Sequence, residues 1–287
     1  MAIPDRRFAR FAAIDWSGAK GSRHKGIALA VCEGGDAAPV LVSPPDGGPW
    51  PRRGVLDWVL TQRDTPLLVG FDFSFSAPFV ARGAHLPGEV PTQDARALWS
   101  MVEAACDDDD LGAASFIEAR RGRHFYLGKA DGAKADFLHW RICETAADGG
   151  RKPSTVYDAI GAAQVAKASF AGMRLLNALD RRVPIWPFDP APPTGAVIVE
   201  IYTTIAARAA GIRKGRSKIR DAAALDAALA MVGSRPYAAL AAYDDHATDA
   251  ILTAAWLRAN ANRADLWHPA AMTPLVARTE GWTFGIS

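Results

Sequence analysis

Five acidic residues and one histidine stand where a soluble chain ordinarily places apolar or neutral residues. Asp15 closes FAAIDWSG, Asp72 closes PLLVGFDFSFS, Glu200 lies in AVIVEIYTT, and Asp245, His246 and Asp249 lie in YDDHATDAILTAAW. A carboxylate inside an apolar segment is costly to bury unless something pairs with it. Several such segments converging would make a divalent-metal site. Two hard cations about 3.5–4 Å apart can activate a water and stabilise a leaving oxyanion, which is what phosphodiester cleavage needs. Oxygen-only ligands favour Mg²⁺ or Mn²⁺ over zinc. On this reading Asp15 bridges, Asp72, Asp245 and Asp249 complete the metal cage, and Glu200 or His246 orients water.

Each residue also has a plain structural explanation. Asp15 could cap the turn formed with Ser17 and Gly18. Asp72 alternates with Phe71 and Phe73, so the rings face the core while Asp72, Ser74 and Ser76 face a polar cleft, where an Asx-turn would also suit Asp72. Glu200 needs a partner, either a metal or a cation such as Lys218 or Arg220. Asp245 and Asp249 are four apart on a helix, where like charges repel unless a cation intervenes. His246 could ligate metal or simply hydrogen-bond at the surface. Ser17 and Lys20 are candidates for phosphate contact. So are Arg120 and Arg123 in ARRGRHFYLGK, where Phe125 or Tyr126 could stack on a base, and Lys218 and Arg220 in IRKGRSKIR.

The elements that must position these residues follow from periodicity. Residues 8–16 read as a strand, GIALAVCEG as a second and PVLVSP as a third, an antiparallel meander. Pro51 opens a helix over RRGVLDWVLTQR. PLLVGFDFSFS is a fourth, buried parallel strand. TQDARALWSMVEAAC and residues 155–181 read as helical. GAVIVEIYTT is the fifth strand, and two helices, KIRDAAALDAALAMVG and PYAALAAYDDHATDAILTAAWLRANA, follow it. The expected fold is therefore α/β, a mixed five-stranded sheet flanked by helices. A long, mostly helical insertion separates strands four and five. Residues 1–287 read as one domain, with 77–190 an elaboration within it.

Composition sets outer bounds. The chain has 287 residues, 49% apolar and 22% charged, with a formal net charge of +2. That is ordinary for a folded domain and gives no long-range steering toward nucleic acid or membranes. Cys32, Cys106 and Cys143 are widely spaced, which disfavours a disulfide framework or a thiolate zinc site. No apolar run approaches the roughly 18–20 residues of a membrane span, and the first residues lack a signal-peptide core. A cytoplasmic, non-membrane protein is expected.

Four segments in order, IDWSG at 14–18, GFDFSFSAP at 70–78, VEIYTT at 199–204 and DDHATDAILTAAW at 244–256, resemble the RNase H-like superfamily, and specifically the predicted nuclease family described as DUF429. The resemblance covers most of the chain. It implies a metal-bridging role for Asp15, an acidic ligand at Asp72, a metal-binding helix carrying Asp249–Ala250, a contribution from His246 as in the resolvase-like branch, and the fifth-strand glutamate at Glu200. The first helix departs from the pattern: it offers only Asp57, so Asp72 stands in. The implied activity is metal-dependent phosphodiester hydrolysis of DNA or RNA. A catalytically inactive binding module for nucleic acid or protein is the alternative, distinguished by carboxylates that are salt-bridged or held apart. An actin-like or sugar-kinase-like phosphotransferase ranks lower, because one strand series and no P-loop motif are present. A serine hydrolase lacks its G-x-S-x-G.

Overall fold

The computed structural model describes residues 8–146, 153–160, 165–212 and 219–287. Three strands, β1 (Arg10–Asp15), β2 (Ala28–Glu33) and β3 (Val40–Val42), form the antiparallel meander, and helix α1 (Arg52–Thr61) leads to β4 (Leu67–Asp72). The insertion carries α2 (Ala95–Ala104), α3 (Ala114–Glu118), α4 (Ile142–Ala146) and α5 (Val165–Ala178) before β5 (Val197–Glu200). Five helices follow: α6 (Thr203–Ala209), α7 (Ala222–Met231), α8 (Asp245–Asn260), α9 (Ala264–Trp267) and α10 (Pro274–Thr279). The sheet order is β3-β2-β1-β4-β5, antiparallel across β1–β2–β3 and parallel across β1–β4–β5. This is the mixed five-stranded sheet expected, with the helical insertion between β4 and β5.

Strand alternation splits the core in two. Ala12, Ile14, Val69, Phe71 and Ile198 face one way, onto Val55, Leu98, Phe116 and Phe170 of α1, α2, α3 and α5. Phe11, Ala13, Leu68, Val197 and Val199 face the other way, onto Ala206, Leu225 and Leu257 of α6, α7 and α8. Phe71, Phe73 and Phe75 are buried and stack successively, with Trp16 against the first two. Gly70 lets α8 lie close to the sheet, since a Cβ there would fall 2.9 Å from Leu257 Cδ1 and 2.6 Å from Ile201 Cγ2.

Three local expectations need correction. The fifth strand stops at Glu200, and the threonines after it open α6 instead of extending the strand, because Asp72 accepts from both the Thr203 N–H and its hydroxyl. The helix expected from 155 begins, among the described residues, at Val165. Residues 155–160 are irregular, and Asp158 bridges Tyr126 instead. The last long helix starts at Asp245, not near Pro236. Asp244 caps it by accepting from the Ala247 N–H at 2.9 Å, while the Tyr237 N–H bonds to Asp226.

The two halves of the chain meet at a buried ionic knot. Arg141 donates to Glu200 Oε2 at 2.7 Å and Oε1 at 2.5 Å and to Glu144 Oε1 at 3.0 Å. Glu200 also accepts from the Phe75 N–H and the Thr283 hydroxyl. Removing one partner of such a pair strands the other charge. Arg141→Met should therefore cost about 3–5 kcal/mol in urea denaturation. A loss below about 1 kcal/mol would show that the knot is dispensable to folding.

Candidate functional site

Parallel pairing sets the site's floor. Asp15 and Asp72 are register partners at the carboxyl ends of β1 and β4, so their side chains leave the same face of the sheet on strands roughly 4.8 Å apart. Helix α8 crosses that face and brings its first turns over them. His246 Nδ1 lies 2.7 Å from Asp15 Oδ2. Asp249, one turn on, is close enough to disfavour ionisation of Asp72. A cavity of about 740 Å³ opens at these strand ends, where α/β sheets commonly bind ligands.

The electrostatics record charges crowded out of water. Burial, then the neighbouring Asp15 charge, pushes the Asp72 carboxyl up to about 8. Thr203 opposes this through its hydroxyl at 2.9 Å and its N–H at 3.4 Å. Burial likewise raises Asp15 above the usual carboxylate range, against the pull of His246. The hydrogen bond to Asp15 raises His246 in turn. The two therefore titrate as a pair.

The loop after β1 is fixed from below. The buried Arg52 donates to the carbonyls of Ser17 at 2.9 Å and Ala19 at 2.6 Å. Asp110 caps α1 by accepting from the Arg52 and Arg53 N–H groups, and His24 adds a contact of 2.9 Å. Gly18 packs against α5 so closely that a Cβ would fall 2.2 Å from the Ala168 nitrogen. Ser17 Oγ accepts from the Ala19 N–H, the turn role that competes with phosphate contact.

Asp15, Ser17, Asp72, Glu200, Asp245, His246 and Asp249 all line the one cavity. Glu200 reaches it from the opposite face of the sheet, in register with Phe71, and is paired with Arg141, while Arg220 is bound elsewhere. Asp245 is bonded to Arg220 at 2.5 Å. Lys20 is exposed in its loop, away from the cavity. Arg120 is bound to Glu89 at 3.0 Å and lies over the Phe116 ring, and Arg123 donates to the Gly88 carbonyl, so neither lines the cavity. Lys218 lies outside the described residues. Sequence reasoning missed Arg141, Thr203, Tyr202 and Arg208, of which only Thr203 carried a signal, in the YTT that follows Glu200.

The floor is all oxygen, which suits a hard cation, although among the described residues no three His, Cys, Asp or Glu side chains form a ready ligand cluster. Magnesium commonly takes only one or two carboxylates and keeps several waters, and Asp15 and Asp72 are the adjacent pair that could hold it. No described helix is long and apolar enough to cross a membrane.

Asp72 supplies a pH test. Its folded pKa lies above its unfolded value, so the folded state holds a proton that the unfolded state has lost, and stability falls as pH rises from about 4 to 8. Asp72→Asn removes that penalty. Without added divalent ions its thermal midpoint should exceed wild type by a margin that widens over this range and then levels. A margin independent of pH would contradict the buried, proton-holding carboxyl.

No protein-family model, no curated protein and no solved structure matches the chain. What the coordinates show is a five-stranded mixed sheet flanked by helices, consistent with the RNase H-like superfamily fold.

Proposed function

We propose that the protein is a metal-dependent phosphodiesterase acting on nucleic acid, an RNase H-like nuclease of the kind that its ordered motifs resemble in the DUF429 family. The observation that carries this reading is the pair of adjacent half-buried carboxyls, Asp15 and Asp72, which line one cavity with Asp249. Like charges so placed disfavour one another's ionisation, and a divalent cation offsets that cost. Asp15 and Asp72 would hold Mg²⁺ or Mn²⁺, with Asp249 supporting. The ion when bound supplies charge neutralisation at phosphate and an acidified water. Thr203 keeps the Asp72 carboxyl aimed along the cavity floor. His246, oriented through Nδ1 by Asp15, holds its other ring nitrogen for a proton transfer. Glu200 positions β5 through Arg141 and takes no proton in this scheme.

A second reading has its own support. The Asp15–His246 contact at 2.7 Å already compensates one carboxylate without a metal, as an inactive binding module would.

Calorimetry in two buffers of different ionisation enthalpy separates the readings. At pH 7 Mg²⁺ or Mn²⁺ should bind with release of about one proton, because Asp72 must give up the proton it holds. Asp72→Asn should abolish both the release and most of the affinity. Labelled DNA and RNA strands should be cut only with the ion present. Asp15→Asn, Asp72→Asn and Asp249→Asn should each lower the rate by 100-fold or more. Nucleic-acid binding with no divalent uptake at millimolar ion and no cleavage would favour the inactive module.

A further inference from the structure

Tyr202, the residue that opens α6, and Arg208, in its last turn, also line the cavity. Of the other basic side chains among the described lining residues, Arg141 is committed to Glu200 and Glu144, and His246 to Asp15. Among the described residues the exposed Arg208 guanidinium has no hydrogen-bond or ion-pair partner, and the half-buried Tyr202 ring has no bond at its hydroxyl. Arg208 can therefore take an anion without breaking an existing bond. Tyr202 offers an aromatic face of the kind that stacks on bases.

Size narrows the ligand further. At about 740 Å³ the space is of small-molecule size, not a groove for a duplex. It is walled on one side by α8 and on the other by insertion residues Pro153, Ser154 and Val165. A double helix presents a surface of many phosphates, whereas among the described residues lining this cavity Arg208 is the one cation without a partner.

We propose that the cavity receives one terminal or extruded nucleotide of a single-stranded nucleic acid, its phosphate held by Arg208 and its base against Tyr202. This rests on the nuclease reading only in taking the acidic floor as the chemical end of the same cavity. The formal charge of +2 gives little general attraction, so recognition depends on these two local contacts.

The test is fluorescence anisotropy on the full chain with labelled hexathymidylate, hexauridylate and a blunt hairpin duplex, in EDTA and again in Ca²⁺. Either single strand should bind at least tenfold tighter than the hairpin. Arg208→Ala should weaken single-strand binding about tenfold and lower the slope of log affinity against log salt by about 0.7, the value for one phosphate contact. Tyr202→Ala should cost a similar factor, and Tyr202→Phe should cost little. Equal or tighter hairpin binding, an unchanged salt slope in Arg208→Ala, or no single-strand binding in either condition would overturn the proposal. Metal-dependent cleavage is scored separately. Arg208-dependent single-strand binding without cleavage leaves this inference standing and removes the nuclease reading. Cleavage of duplex that is indifferent to Arg208 does the reverse.

Discussion

The structure depends on a carboxylate that apolar surroundings would not tolerate alone. Glu200 ends a four-residue strand whose other side chains are all buried and apolar, and its charge is affordable only because Arg141 arrives from 59 residues earlier. That single guanidinium also takes Glu144 and the Glu280 carbonyl. Glu280 accepts from the N–H groups of Phe79, Val80 and Ile142. Four otherwise separate pieces, the exit of β4, the insertion, β5 and the C-terminal strap, are thereby fixed to one another. The insertion is thus anchored at the strand ends, where it walls the cavity.

The carboxyls on the opposite face are handled differently. Among the described residues Asp15 and Asp72 receive no arginine. Asp15 receives a histidine and Asp72 a threonine, and burial still holds both carboxyls above their usual range. Had the sheet needed only solubility or capping, an arginine on each would have been the cheaper arrangement, as Arg23–Asp46 and Arg263–Asp265 show elsewhere in the chain. Both carboxyls, of Asp15 and Asp72, stay above their usual range, whereas Glu200, more deeply buried across the sheet, is paired with Arg141. Glu200 is tied to Arg141, the Phe75 N–H and the Thr283 hydroxyl. Asp15 and Asp72 keep the raised carboxyls on which the proposed metal site rests.

Much of this was legible in the chain because period-two and helical periodicities report burial, and burial is what strands and helices are built around. The five strands follow from five short apolar runs, and the strand-end position of Asp15 and Asp72 from FAAIDWSG and PLLVGFDFSFS. Other features were not legible, for physical reasons. Partner choice for Glu200 is set by tertiary approach, and nothing near Glu200 in sequence marks Arg141. The threonines after Glu200 have strand propensity, yet Asp72 draws the first of them into the start of a helix. Alanine-rich residues 236–244 carry a helical composition, but Asp244 takes the capping position and the helix begins there. Arg120 and Arg123 look like phosphate ligands in a basic run, but Glu89 and the Gly88 carbonyl hold them outside the cavity. A run of charge reports composition, not direction.

The position of α8 shows why the site needs both faces of the sheet. His246 and Asp249 can stand over Asp15 and Asp72 only if the helix lies close to the strands. Gly70, opposite Ala13 in the register, removes the side chain that would hold it off. Closeness alone would let the helix slide along its axis. The Asp244 cap and the Thr248 hydroxyl, bonded to the Asp244 carbonyl at 2.9 Å, fix where its first turn begins. Gly26 completes the fit, because a Cβ there would fall 3.1 Å from Ser17 Oγ and 3.4 Å from His246 Cε1. A helix set down at this depth and this starting residue must put its acidic first turns against the two carboxyls. Burial raises Asp72 most, Asp15 next, and Asp249 on the closely packed helix adds to both.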